Sequence, residues 1–359
     1  MCDLSLHTCG LAKLRDRKCW PGRLLEDRPA AGLNLMKAWQ VCPSRRGASN
    51  LKLVLFMSDF DAQWSQPTHL TVGTDEVDIY NIKPSQEKSG VPVVLVPGWG
   101  GTPEMYRMNV AMLAERGRRT LMVKAPHGLN DSGLPSKNEI PKAQARRIAA
   151  LSVLLDQKDI QQTDAIGHSE GCLDLVFGAH LFPARFHNLV LIETPGLFGR
   201  DTSWRLAVRF LADAVASGFD SINQKRLRKP LSLATREIAS SLLGHPIRAV
   251  REVASIAGAH IQRLLPQIRS SGVGVSIIHG VDDGTFPMRR VQQLVTAAMV
   301  DGFLSVKGRH GQFQLEPVQY TKLADYALMA MDARDESGRC TAGFSSQSRW
   351  RPDFRGVIL

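Results

Sequence analysis

The sequence predicts an α/β architecture: an open, doubly wound, mostly parallel sheet into which a helical cap is inserted. Three observations carry this. Short apolar runs at residues 93–96, 121–123, 189–192 and 275–278 lack polar alternation, as strands buried on both faces do. Between them lie helical patterns, about 104–116, 145–155, 170–181, 288–300 and 318–331. Strand, helix, strand repeated in this way implies right-handed crossovers. The interval 195–272 breaks the rhythm, being far longer than one crossover helix needs.

The chain of 359 residues is 43% apolar, 22% charged and 6% aromatic, with 30 Gly and 19 Pro. Such a composition excludes collagen, low-complexity disorder and a small disulfide scaffold, and leaves ample chain for a large core. Residues 1–60 show no sustained pattern and are read as a poorly ordered extension. The first part of the core is expected over 61–195, the cap over 196–271, the second part of the core over 272–332 and a polar tail over 333–359. In the helix at 145–155, Ile148, Leu151 and Leu155 share one face while Arg146 and Arg147 look outward.

Gly218, Pro230, Gly244 and Pro246 divide the cap into at least three helices. Residues 195–271 hold twelve Lys or Arg against five Asp or Glu. A solvated helix surface is the plain reading of that excess; weak contact with an anionic membrane surface is the alternative. Trp204, Phe210 and Phe219 fall in or beside its apolar patterns and are expected in the cap core or as pocket walls. The whole chain carries a net charge of +11, yet no basic run is interleaved with aromatics, so nucleic acid is not an expected partner.

Four of the six cysteines, Cys2, Cys9, Cys19 and Cys42, crowd the start at irregular spacings. They form no C-x-x-C pair and read as thiols of an unstructured leader rather than a zinc or disulfide site. No apolar stretch approaches the ~18 residues of a membrane span, and the start lacks the charged patch and apolar core of a signal peptide. A cytoplasmic location is the expectation.

Gly167-His168-Ser169-Glu170-Gly171 spells G-x-S-x-G directly between the strand-like 163–166 and the helical 172–180. A serine hydroxyl is a poor nucleophile unless a tight strand-to-helix turn presents it beside a base and near backbone donors. With this motif in that setting, the chain resembles the α/β-hydrolase superfamily over about residues 68–331. The resemblance implies a triad in the order Ser, acid, His. Ser169 is then the nucleophile. The loop Gly280-Val281-Asp282-Asp283-Gly284-Thr285-Phe286-Pro287 resembles the family's acid loop and selects Asp283, with Asp282 and Glu193 as alternatives. His310, in the loop after strand 303–306, is the base. Val96-Pro97-Gly98-Trp99-Gly100-Gly101 resembles the oxyanion loop, so the backbone amides of Trp99 and Glu170 would form the hole. Pro97 stands where the family often has histidine. The Glu170 carboxylate should turn away from that hole, and Cys172 should be a buried small residue.

The implied activity is hydrolysis of a small-molecule carboxylic ester or acyl substrate through an acyl-enzyme, with no metal or organic cofactor. An acyltransferase, a thioesterase, a carbon-carbon bond hydrolase or a non-catalytic ligand-binding member would share the motif.

Overall fold

The computed structural model describes residues 48–72, 75–123, 140–197, 201–244 and 246–337. The body of the fold begins at Lys52. In chain order the elements are α1 (Ala48–Trp64), β1 (Thr68–Val72), β2 (Asp75–Ile82), β3 (Val93–Val96), α2 (Pro103–Glu115), β4 (Thr120–Val123), α3 (Lys142–Gln157), β5 (Thr163–His168), α4 (Glu170–Leu181) and β6 (Phe186–Ile192). There follow α5 (Ser203–Asn223), α6 (Arg228–Gly244), α7 (Pro246–Gly258), α8 (Leu264–Ser270), β7 (Gly274–Gly280), α9 (Met288–Leu294), β8 (Gly302–Val306), α10 (Gln312–Leu315) and α11 (Pro317–Ser337).

The eight strands form one sheet in the order β1-β2-β4-β3-β5-β6-β7-β8. β2 is antiparallel to both of its neighbours, and every pair from β4 to β8 is parallel. The order reverses at β3, so β3 and β5 are adjacent strands whose connections leave on opposite sides. A crevice opens there at the strands' carboxyl ends, the usual ligand position in such sheets. Two apolar clusters cover the two faces. One gathers α3, α4 and α8 around Val94, Ala165, Leu189 and Ile277, and the other gathers α2 and α11 around Leu95, Ile166, Val190 and Ile278. Adjacent residues of one strand thus enter opposite clusters, which is why these strands read as unbroken apolar runs.

Two expectations need amendment. The segment up to residue 60 is not featureless, because α1 is helical and buries Phe60 and Trp64. Its signal is the i, i+4 row Phe56, Phe60 and Trp64, whose rings stack successively and end on Tyr80 at 4.4 Å. The continuous apolar run at 53–57 hides that row from a periodicity count. The second amendment concerns α8, which falls inside the expected cap but packs on α4 and the sheet through Leu264, Leu265 and Ile268. The separate helical layer is therefore α5 to α7. The leader cysteines, Cys340 and the tail beyond residue 337 lie outside the described residues.

Candidate active site

Ser169 sits between β5 and α4 with φ 50° and ψ −120°, a conformation that costs a non-glycine residue about 1–3 kcal/mol. The turn is this tight because its neighbours leave no volume. A Cβ on Gly171 would stand 2.6 Å from the Pro97 carbonyl oxygen, and one on Gly167 would stand 2.9 Å from the Cys172 amide nitrogen. The Ser169 hydroxyl lies 3.0 Å from His310 Nε2. His310 Nδ1 lies 3.1 Å from Asp283 Oδ2, and Asp283 Oδ1 accepts the Phe286 amide at 2.8 Å. Residues 141 and 27 positions apart in the chain are thereby joined in one hydrogen-bonded row. Asp282 is exposed and outside that row. Neither the Trp99 nor the Glu170 amide donates to a protein acceptor among the described residues. Glu170 is the first residue of α4, whose positive end faces Ser169.

Glu193, at the end of β6, stands just behind this row. Its Oε2 is 3.7 Å from His310 Nδ1, 3.0 Å from His168 Nε2 and 2.7 Å from the Gly311 amide, while Tyr320 donates to Oε1 at 3.1 Å. His168 in turn has Nδ1 2.7 Å from the Tyr106 hydroxyl, which accepts the Gly98 amide at 3.0 Å. These roles fix the tautomer: His168 donates from Nε2 and accepts at Nδ1 from Tyr106. Burial keeps His168 below the ordinary histidine pKa, so it is neutral, although Glu193 opposes that shift. Ligand atoms of His168, Glu193 and His310 lie within 4.8 Å of one another, a spacing their hydrogen bonds already explain.

Burial also disfavours a charged His310, but the surrounding carboxylates outweigh it. Asp283 first, then Glu193 and Asp213, push its pKa up to about 9. Asp283 lies below the ordinary carboxyl range, since the imidazolium and the Phe286 amide together outweigh its own burial.

Comparison with known proteins places this geometry in a wider group. The family model for the alpha/beta hydrolase fold matches residues 91–245. The chain is similar in structure to an enol-lactonase from Burkholderia xenovorans LB400, with TM-score 0.55, 16% identity and coverage of 73% of this chain and 100% of that one. It is likewise similar to a thermophilic esterase from Thermogutta terrifontis, with TM-score 0.53, 16% identity and coverage of 74% and 99%. The chain has the α/β-hydrolase fold. In sequence, the chain is 24% identical over 271 residues to a Mycobacterium phage D29 protein named as a non-heme haloperoxidase, covering 72% of the chain and 94% of that protein.

A cavity of about 490 Å³ lies between the sheet and helices α5 to α7. Ser169 and His310 are at its floor, and Phe210, Leu206, Ile238 and Ile256 are among its walls. Phe210 also packs edge-on against Trp99 at 5.5 Å. Trp204 and Phe219 do not behave as expected: they are 76% and 64% exposed. Asp213 of α5 is the one carboxylate of the helical layer among the lining residues. It is buried, accepts the Gly284 amide at 3.0 Å, and has its pKa pushed up to about 6, chiefly by burial.

A second buried cluster supports the elbow from behind. The Glu170 carboxylate is turned toward α3, where it pairs with Arg147 at 2.5 Å and accepts from Gln144 at 3.2 Å. Arg147 also meets Asp174 at 3.5 Å and Glu252 of α7 at 3.1 Å. Glu252 accepts the Trp99 indole N–H at 3.0 Å. One guanidinium therefore holds together α3, the start of α4 and the helical layer, and through Glu252 it restrains Trp99. Sequence reading placed Arg147 on the solvent face, since helical spacing cannot show which polar face another layer covers. Arg147→Met strands the carboxylates of Glu170 and Asp174, while Glu252 keeps Arg248, and should lower stability by about 3–5 kcal/mol in a denaturant titration at neutral pH. The deficit should shrink toward acid pH, as the stranded carboxylates take up protons in the folded state. Cys172 is buried and its thiol pKa is pushed up to about 12 by burial, so it acts as a small apolar residue.

Proposed function

We propose that this protein is a serine hydrolase that cleaves carboxylic esters of small, largely apolar molecules. The observation that carries the reading is the Ser169-His310-Asp283 row at the floor of an apolar cavity, with hydrogen-bond distances of 3.0 and 3.1 Å. In the reaction Ser169 Oγ attacks the ester carbonyl carbon as its proton passes to His310 Nε2. The carbonyl oxygen becomes an alkoxide, which the Trp99 and Glu170 amides stabilise. Its collapse expels the alcohol, which takes the proton from His310, and leaves Ser169 acylated. Water then attacks the acyl carbon, giving its proton to His310, and the second collapse releases the acid and returns the proton to Ser169. Asp283 holds the imidazole in the tautomer that accepts at Nε2 and stabilises the imidazolium.

The test is covalent labelling by an alkyl fluorophosphonate together with a p-nitrophenyl ester series of increasing acyl length. Labelling at Ser169 and measurable turnover are expected. Absence of both labelling and turnover across the whole series would overturn the reading.

The pH dependence follows from the charges around the imidazole. Only neutral His310 can accept the Ser169 proton, and its pKa is about 9. Consequently kcat/KM should rise with pH through the neutral range and level off above about pH 9. Asp213→Asn removes one negative charge that favours the imidazolium, so the rising limb should move to lower pH.

A further inference from the structure

Helix α5 is apolar on two faces. One face lines the cavity with Leu206 and Phe210. The other carries Trp204, Val208, Leu211, Val215, Phe219 and Ile222, between 43% and 76% exposed. Their spacings of three and four keep them in one stripe along the helix, about 27 Å long. Leu211 belongs to both faces: it lines the cavity and is 65% exposed. A soluble domain rarely leaves so continuous an apolar row uncovered unless something seats on it.

The charges of the same layer indicate what that is. Its acidic residues are all either paired with a base or buried. Asp201 pairs with Arg209, Asp220 with Arg309, Glu237 with Arg236, and Glu252 with Arg147 and Arg248, while Asp213 is buried. Arg205, Lys225, Lys229 and Arg251 are exposed and have no acidic partner among the described residues. The helical layer thus presents an apolar ridge with unpaired cations and no free anions. A second copy of the chain would bring like charges together. A lamella with anionic headgroups supplies both an apolar interior for the ridge and counter-charges for the bases.

We propose that the outer face of α5 seats on an anionic lipid surface, with the stripe from Trp204 to Ile222 entering the headgroup boundary. No helix among the described residues is long and apolar enough to cross a membrane; the proposed attachment is peripheral. Leu211, which also lines the cavity, then lies beside the lipid. The proposal does not depend on the hydrolytic reading, because binding needs neither Ser169 nor His310.

The test is co-sedimentation of the full chain with phosphatidylcholine vesicles, with and without phosphatidylserine. Binding is expected only to the anionic vesicles and should weaken at high salt. The double variant Val215→Glu/Phe219→Glu, altered at two exposed positions outside the cavity lining, should bind at least about tenfold more weakly. It should keep its melting temperature and its turnover of a soluble short-chain ester. Brominated lipid should quench fluorescence of the wild type and quench Trp204→Phe less. Equal binding of the double variant and the wild type would overturn the proposal, as would equal binding to neutral and anionic vesicles. So would a vesicle-free dimer in sedimentation equilibrium that the double variant dissociates, which would assign the stripe to a second copy. Ser169→Ala that still binds vesicles, in a protein without esterase activity, would separate failure of the hydrolytic reading from failure of this one.

Discussion

Ser169→Ala should abolish fluorophosphonate labelling and lower kcat for p-nitrophenyl esters by roughly 10⁶-fold, the scale at which loss of a triad nucleophile is felt elsewhere. The variant keeps the cavity, the amides of Trp99 and Glu170, and the His310-Asp283 pair, so ester binding should persist. Little folding energy should be lost. The hydroxyl makes its bond to His310 alone among the described residues, and alanine meets the same backbone constraint at φ 50°. A purified variant with full esterase activity would remove Ser169 from the chemistry, whatever its distance from His310.

Asp283→Asn should cost about 10⁴-fold in kcat. An asparagine amide can donate to His310 Nδ1, which moves the ring proton to Nε2 and leaves no acceptor facing Ser169. Glu193→Gln is the matching control. At 3.7 Å Glu193 is the more distant carboxylate from His310 Nδ1, and its oxygens are occupied by His168, Gly311 and Tyr320. The expected result is a loss of activity within about tenfold, a shift of the rising pH limb to lower pH, and a stability loss of about 1–3 kcal/mol from the unmatched donors. If Glu193→Gln cost the larger factor and Asp283→Asn the smaller, the acid would be Glu193.

The parts that could be read in advance are those whose signal is local. The parallel strands are short apolar runs because both of their faces are buried, and β3, β4, β6 and β7 fall on the runs at 93, 121, 189 and 275. The β1-β2 hairpin escaped notice. Its buried Leu70, Val77 and Ile79 alternate with Asp, Thr and Asn in a composition that reads as loop. Ser169, Asp283 and His310 each stand in a short segment that follows a strand, which is why they can be nominated from the sequence, with Asp282 and Glu193 as alternatives for the acid. Tyr106, Arg147 and Glu252 have no such segment, and Glu193, though it follows β6, carries no local sign of the several donors it gathers. Contacts that define them span 62 residues from Tyr106 to His168, 105 from Arg147 to Glu252, 127 from Glu193 to Tyr320 and 153 from Trp99 to Glu252, and only the packing of layers brings these together. Trp204 and Phe219 show the limit of periodicity itself, since on a helix apolar on two sides spacing does not tell inside from outside.

Glu252 has a consequence for how molecules reach the cavity. Because it ties α7 to Arg147 and Trp99, and Asp213 ties α5 to the Gly284 amide, swinging either helix outward would uncouple buried charges at a cost of several kcal/mol. Helix α6 meets the body through the side chains of Ala234 and Ile238 instead, and apolar contacts can slide without stranding a charge. Traffic in and out should therefore pass beside α6, with the rest of the roof standing still as a fixed arch.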